Sequence, residues 1–187
     1  MENVLPMRLF FSRHIPSIER LLLVESGSRY ILDNLIPGLV EVYGDRLKVD
    51  VVTCFNGEPE RLPAGSKIYR VWEYPDSASR KRLLRELQAA GYNTVGIICS
   101  GEPVMTKWKW WLAFQIPAKV FVLNENGDYY WFDYSNWRIM LHFALFRVGL
   151  TGADAVTTVT RVVLFPFTLC YLMLFAAAVH LRRKVRT

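Results

Sequence analysis

The stretch from Val162 to Leu181, VVLFPFTLCYLMLFAAAVHL, contains no charged residue and is closed by Arg182, Arg183, Lys184 and Arg186. Twenty helical residues at about 1.5 Å each span the roughly 30 Å hydrocarbon core of a bilayer. Eleven of the twenty are Leu, Val or Phe, residues that each favour insertion by about 0.3 to 0.6 kcal/mol. Pro166 falls in the first turn and a half, where a missing amide costs less than in mid-helix. The basic cluster that follows has the character of an interfacial anchor, so the segment reads as a transmembrane or re-entrant helix with a basic tail over residues 162–187.

The amino terminus sets the expected side of the membrane. In MENVLPMRLFFSRHIPSIER, Arg8, Arg13 and Pro16 interrupt the apolar run before it reaches signal-peptide length, which keeps the soluble part in the cytoplasm. A single crossing then places four basic residues on the far side, against the positive-inside tendency. Two arrangements answer this. One is a tail anchor that tolerates the bias; the other is a segment bent near Pro166 that returns the tail to the cytoplasmic surface. The stretch from Trp137 to Leu150, WRIMLHFALFRVGL, is interrupted only by Arg138, His142 and Arg147 and would supply the second arm of a helical hairpin.

About 140 of the 187 residues precede the membrane-associated part, enough for one domain with its own core. The formal charge of +6 is concentrated in the tail and at Lys107 and Lys109, which favours an anionic lipid surface over nucleic acid, since no nucleic-acid reader motif accompanies it. Cys54, Cys99 and Cys170 have neither metal nor redox spacing, and His14, His142 and His180 are scattered, so no metal site is expected.

The remaining sequence alternates between two periods. Residues 20–24 are a short apolar run ending in Glu25-Ser26-Gly27-Ser28, and Tyr30 to Tyr43 places Ile31, Leu32, Leu35, Ile36, Leu39 and Val40 at helical spacing. Strands are expected at 47–54, 67–72, 93–99 and 119–123. A charged helix capped by Ser77 is expected over 77–90, stopped by Gly91, with another helix after residue 103. This order implies an α/β fold: a Rossmann-like, mostly parallel five-stranded sheet over residues 20–133 with helices on both faces. It follows an extension at 1–19 and precedes a membrane-interface connector at 134–161.

Binding crevices in such sheets lie beyond the strand carboxyl ends, where strand order reverses. The turns Ser26-Gly27-Ser28, Asn56-Gly57, Ser100-Gly101-Glu102 and Asn124-Glu125 all fall there. If the first and fourth strands are neighbours, Ser26, Gly27 and Ser28 meet Ser100, Gly101 and Glu102. Glycine admits close backbone approach and helix N-termini offer free amides to an anion. Neither GxGxxG nor GxxxxGK[ST] is present.

The helix with an internal proline (Ile31 to Leu39), the stretch RLLRELQAAGYNTVGII (82–98) and the strand ending in Ser100-Gly101-Glu102 together resemble the amino-terminal half of GT-B glycosyltransferases of the ADP-heptose heptosyltransferase kind. The resemblance covers roughly residues 20–133. It implies a half domain that binds a glycan acceptor, with a nucleotide-sugar donor bound by a second half. A membrane segment takes the place of that half here, so the donor would come with a glycosyltransferase partner chain and no intrinsic cofactor is expected. The resemblance further implies a lipid-linked glycan as acceptor and a place at the cytoplasmic side of a bacterial inner membrane, in cell-envelope glycan assembly. The family's acidic general base would fall at Ile31, a hydrocarbon. Glu25, Asp33 and Glu102 are the nearby carboxylates that could take its part.

Five of six tryptophans lie between Trp108 and Trp137. Trp and Tyr favour the headgroup level, where apolar ring and polar tip are both satisfied. Lys107, Trp108, Trp110, Trp111, Tyr130, Trp131 and Trp137, with Arg182, Arg183 and Lys184, are therefore the expected membrane contacts, although helix packing would account for part of the set equally well. Three functions follow: a membrane-bound glycosyltransferase-like protein, a non-catalytic scaffold on the same fold with a filled crevice, or a small nucleotide-dependent enzyme using the same turns.

Overall fold

Apolar runs that alternate with amphipathic helices pair here into one sheet. The computed structural model describes residues 6–100, 104–124, 126, 128–151 and 155–186. The elements in order are α1 (Pro6–Phe11), β1 (Arg20–Glu25), α2 (Arg29–Tyr43), β2 (Lys48–Thr53), β3 (Ile68–Arg70), α3 (Ser77–Ala90), β4 (Thr94–Cys99), α4 (Thr106–Gln115), β5 (Lys119–Asn124), β6 (Tyr129–Trp131), α5 (Trp137–Arg147) and α6 (Ala155–Arg186). The chain divides into two units, Met1–Trp137 and Arg138–Thr187.

In the first unit the strand order is β3-β2-β1-β4-β5-β6. β1 to β5 are parallel, with Leu21 opposite Val49, Leu22 opposite Val95 and Ile97 opposite Val122. The reversal falls between β1 and β4, as the alternating pattern implies. To the expected five strands the structure adds β6, antiparallel to β5 with Val122 opposite Tyr130.

Side chains on a strand alternate between faces. Leu21, Leu23, Val49, Val51, Ile98, Phe121 and Leu123 cluster with Ile31, Leu32 and Ile36 of α2. The intervening Leu22, Val24, Val52, Ile97 and Val122 are equally buried and face the other way, toward the side where right-handed crossovers put α3 and α4. Leu83 and Leu87 of α3 and Leu112 of α4 are each fully buried. Gly96 is required at the sheet centre, because a Cβ there would lie 2.5 Å from Phe121 Cζ and 2.6 Å from Leu23 Cδ2.

The cap of α3 differs from the expected serine. Asp76 accepts from the amides of Ala78 at 2.8 Å and Ser79 at 2.9 Å, and Ser77 is the first helical residue. A carboxylate satisfies two amides at once and favours the positive end of the helix dipole. The helix ends at Gly91 in the left-handed conformation, φ 70°.

In the second unit, α6 is longer than the expected span. Residues Ala155–Leu181 form a helix long and apolar enough to cross a membrane, with mean hydropathy 2.4 and none of that window buried. Pro166 lies inside it, and the Thr160 and Thr168 hydroxyls bond to the carbonyls of Val156 and Leu164 at 2.7 and 3.0 Å.

Candidate functional site

The carboxyl ends of β1 and β4 adjoin, and their loops meet. The Ser26 hydroxyl, fully buried, donates to the Ile98 carbonyl. A Cβ on Gly27 would sit 3.0 Å from both Cβ and Oγ of Ser100, so only glycine fits without displacement. Ser26, Gly27 and Ser100 are thus brought together as strand order suggests. They meet along a buried seam, and Ser28 alone among the first turn's three residues is exposed. Gly101, Glu102 and Glu125 lie outside the described residues.

Next to this seam a buried carboxylate is held. Glu25 has no exposed side chain, and Arg29 binds both its oxygens, Nε to Oε1 at 2.9 Å and Nη2 to Oε2 at 3.1 Å. The same guanidinium donates through Nη1 to the Asn56 carbonyl at 3.1 Å and lies 6.0 Å from the Phe55 ring. One turn of chain carries the acid on β1 and the base at the start of α2, and the β2 loop supplies the third partner. The hydrogen bond to Glu25 raises the Arg29 pKa still further. Burial pushes the neighbouring Cys54 thiol up, which keeps it protonated and poorly nucleophilic. Glu25 is therefore a structural anion, bidentately neutralised.

The other carboxyl-end candidates are similarly engaged. Asp33 accepts the Glu60 amide through Oδ1 at 3.2 Å and ties α2 to the β2–β3 loop. Asn124 Oδ1 accepts from the amides of Asn126 at 3.0 Å and Asp128 at 2.9 Å, while its Nδ2 donates to Asp128 Oδ2 at 3.1 Å. Its side chain thus shapes the β5–β6 turn. Asn56 is exposed, with its carbonyl on Arg29. Ile31 packs in the α2 core at 8% exposure, as its hydrocarbon side chain requires.

The opposite end of the sheet carries features that the residues alone did not disclose. Lys119, the first residue of β5, is 1% exposed and pairs with Asp133 at 3.0 Å. Its ammonium also donates to the carbonyls of Leu9 at 3.2 Å and Ser12 at 2.5 Å, which fastens the end of α1. A cavity of about 770 Å³ is bounded there by Arg20, Lys48, Asp50, Lys67, Tyr69 and Tyr92, among others. Asp50 accepts the Lys67 amide at 2.7 Å and the Tyr92 hydroxyl at 2.5 Å, and the Tyr69 hydroxyl donates to Glu86 at 3.3 Å. Burial pushes the Tyr69 phenol up to about 12 and raises Tyr92 as well.

The expected membrane-contact residues separate into groups. Trp131 packs against the α2-side core, 5.7 Å from the Phe121 ring. Trp110 joins Phe114 and Phe132, with ring centroids 6.5 and 5.7 Å away. Trp108 and Trp111 meet edge to face at 5.4 Å. Lys107 and Trp137 are exposed, and Tyr130 is half-buried. Lys109, expected to face lipid, is only 4% exposed because its position on α4 turns it inward. Arg182, Arg183 and Lys184 lie in the last turns of α6.

A scan against protein-family models finds no match to this chain, and neither a search of curated proteins nor one of solved structures finds any.

Proposed function

We propose that this protein is a non-catalytic, membrane-anchored α/β module, held in a bilayer by α6, whose Rossmann-like domain serves as a docking platform at the membrane surface. The observation that carries this reading is the Glu25–Arg29 pair. At the sheet end where such folds ordinarily place their chemistry, the buried carboxylate is bound at both oxygens, and the guanidinium is itself tied to the Asn56 carbonyl. A general base must offer an oxygen to the acceptor hydroxyl; Glu25 is fully buried with Arg29 on both its oxygens, Asp33 accepts the Glu60 amide through Oδ1, and Glu102 lies outside the described residues. Anchoring is supported by the length and hydropathy of residues Ala155–Leu181, in which the apolar window has no buried residue.

A second reading is favoured by the contact of Gly27 with Ser100 at the switch point. It is the acceptor-binding half of a glycosyltransferase of bacterial envelope glycan assembly, at the cytoplasmic face of the inner membrane. In it Ser28, Asn56 and Glu102 contact a lipid-linked glycan, and a partner chain supplies the nucleotide-sugar site.

The two readings part in one experiment. The full-length chain and its Ser28→Trp variant are extracted from native membrane in mild detergent, and bound proteins and lipids are identified by mass spectrometry. The platform reading expects the same protein partners with both chains and no lipid-linked sugar. A lipid-linked sugar retained by the wild type and lost in Ser28→Trp would overturn it in favour of the acceptor reading.

A further inference from the structure

A groove of about 540 Å³ lies between α3 and α4, lined by Arg80, Lys81, Leu84, Lys107, Trp108 and Trp111 with two polar neighbours. Three cations and two indoles share this lining, and among the described residues no carboxylate does. The groove is also preformed. Gln88 Nε2 donates to the Gln115 carbonyl at 2.8 Å, linking the two helices. Arg80 is held by the carbonyls of Tyr74 at 3.1 Å and Pro75 at 2.6 Å, with its guanidinium carbon 5.6 Å from the Trp108 ring centre. Trp108 is braced in turn by Trp111.

This combination selects for a particular chemistry. Lys and Arg recognise phosphate; because Arg80 already donates through Nε and Nη2 to backbone carbonyls, the ammonium groups of Lys81 and Lys107 supply most of the donors and Arg80 adds charge. Indoles favour the boundary between headgroup and acyl chain, where an apolar ring and an N–H are both accommodated. We infer that the α3–α4 groove binds the phosphate headgroup of an anionic phospholipid. The inference rests on the reading that α6 sits in a bilayer: a tethered domain meets lipid headgroups at a high effective concentration, so even a weak site is occupied. Basic side chains near an anionic surface each strengthen attachment roughly fivefold, and removal of three lowers it on the order of a hundredfold.

The test uses the full-length chain in uncharged detergent micelles, titrated with dihexanoyl phosphatidylglycerol, dihexanoyl phosphatidylcholine or inorganic phosphate, and followed by tryptophan fluorescence and native mass spectrometry. Saturable binding of phosphatidylglycerol is expected, tighter than that of phosphatidylcholine and weakened by salt. The Arg80→Gln/Lys81→Gln/Lys107→Gln variant is expected to lose most of it. Since Arg80 also braces the loop before α3, Lys81→Gln/Lys107→Gln is measured beside it and is expected to weaken binding roughly twentyfold. Equal binding of the two lipids overturns the inference, as does phosphatidylglycerol affinity unchanged in both variants. Inorganic phosphate that binds as tightly as the lipid and displaces it also overturns it, and assigns a free-phosphate site instead. Retention of the chain in membranes after an alkaline carbonate wash tests the anchor separately. A chain that washes off defeats anchor and groove together, whereas a retained chain with unaltered variants defeats the groove alone.

Discussion

At the carboxyl end of the sheet an ion pair closes within one turn of chain, Glu25 to Arg29; at the amino end one closes between the start of β5 and the residues after β6, Lys119 to Asp133. The first leaves a solvent path, since the Arg29 side chain is 24% exposed. The second has none, with exposures of 1% and 5%. The first pair lies at the strand ends beside the β1 and β2 loops. The second joins three parts of the chain, because the Lys119 ammonium also holds the carbonyls of Leu9 and Ser12. A local pair settles what one loop can do; a distant pair settles whether the amino-terminal segment and the last strand stay on the sheet.

The sharpest way to break this contrast is Asp133→Ala, which strands Lys119 as a buried, uncompensated cation and is expected to cost about 3 to 5 kcal/mol. Denaturant unfolding of the full chain in detergent measures it. Lys119→Met with Asp133→Leu is expected to recover most of the loss, since replacing both charges removes the desolvation penalty. Glu25→Gln is expected to cost less, about 1.5 to 3 kcal/mol for the lost charge-assisted bonds, because Arg29 can turn to water. Should it cost as much as Asp133→Ala, the distinction between the two ends fails. Between them, Gly96→Ala probes the middle of the sheet. Its Cβ would press on Phe121 and Leu23, with an expected loss of about 1 to 3 kcal/mol from overpacking.

The smallest effect concerns pH at the amino end. Burial raises the phenols of Tyr69, to about 12, and Tyr92 above the usual value, which lies near 10 in an unfolded chain. Groups whose folded pKa is raised contribute fully below the unfolded value and lose that contribution as pH rises through the folded one. Stability should thus be flat up to about pH 10 and decline toward pH 12. Ultraviolet absorbance of phenolate should show Tyr69 and Tyr92 ionising late, together with Tyr74, whose phenol burial also raises. Normal ionisation of all nine tyrosines would mean that the cavity is open to water.

Local features were legible in the residues. Strands β1, β2, β4 and β5 announce themselves as apolar runs ending in polar turns, α2 by spacing of three and four, and α3 as a charged run stopped by Gly91. Their order brings Ser26 and Gly27 to Ser100 without further information. β6 was not legible, because three residues have too little alternation to mark a strand and Tyr129, Tyr130 and Trp131 read equally well as a headgroup collar; pairing with β5 decides it. Lys119 and Asp133 lie fourteen residues apart, and only the β5–β6 register sets them side by side. The sequestration of Glu25 was hidden for a subtler reason. Arg29 lies four residues on, but Ser26, Gly27 and Ser28 intervene as a loop, so helical spacing gives no warrant for a contact. The lysine at 109 was misleading in the same way, since the face of α4 that it occupies depends on how the helix docks.

The length of α6 bears on which membranes suit the chain. Its candidate span of 27 residues, Ala155–Leu181, extends about 40 Å at 1.5 Å per residue, whereas the uncharged twenty from Val162 to Leu181 match an average hydrocarbon layer of roughly 30 Å. Placed in such a layer, the helix must lean over or leave its opening turns among the headgroups. Thr157, Thr158, Thr160 and Arg161 are suited to the second choice, being polar and confined to the first two turns. A thick bilayer would draw those turns inward and a thin one would expel them or steepen the lean. In a bilayer, the height at which the preceding connector meets the surface would then vary with lipid composition.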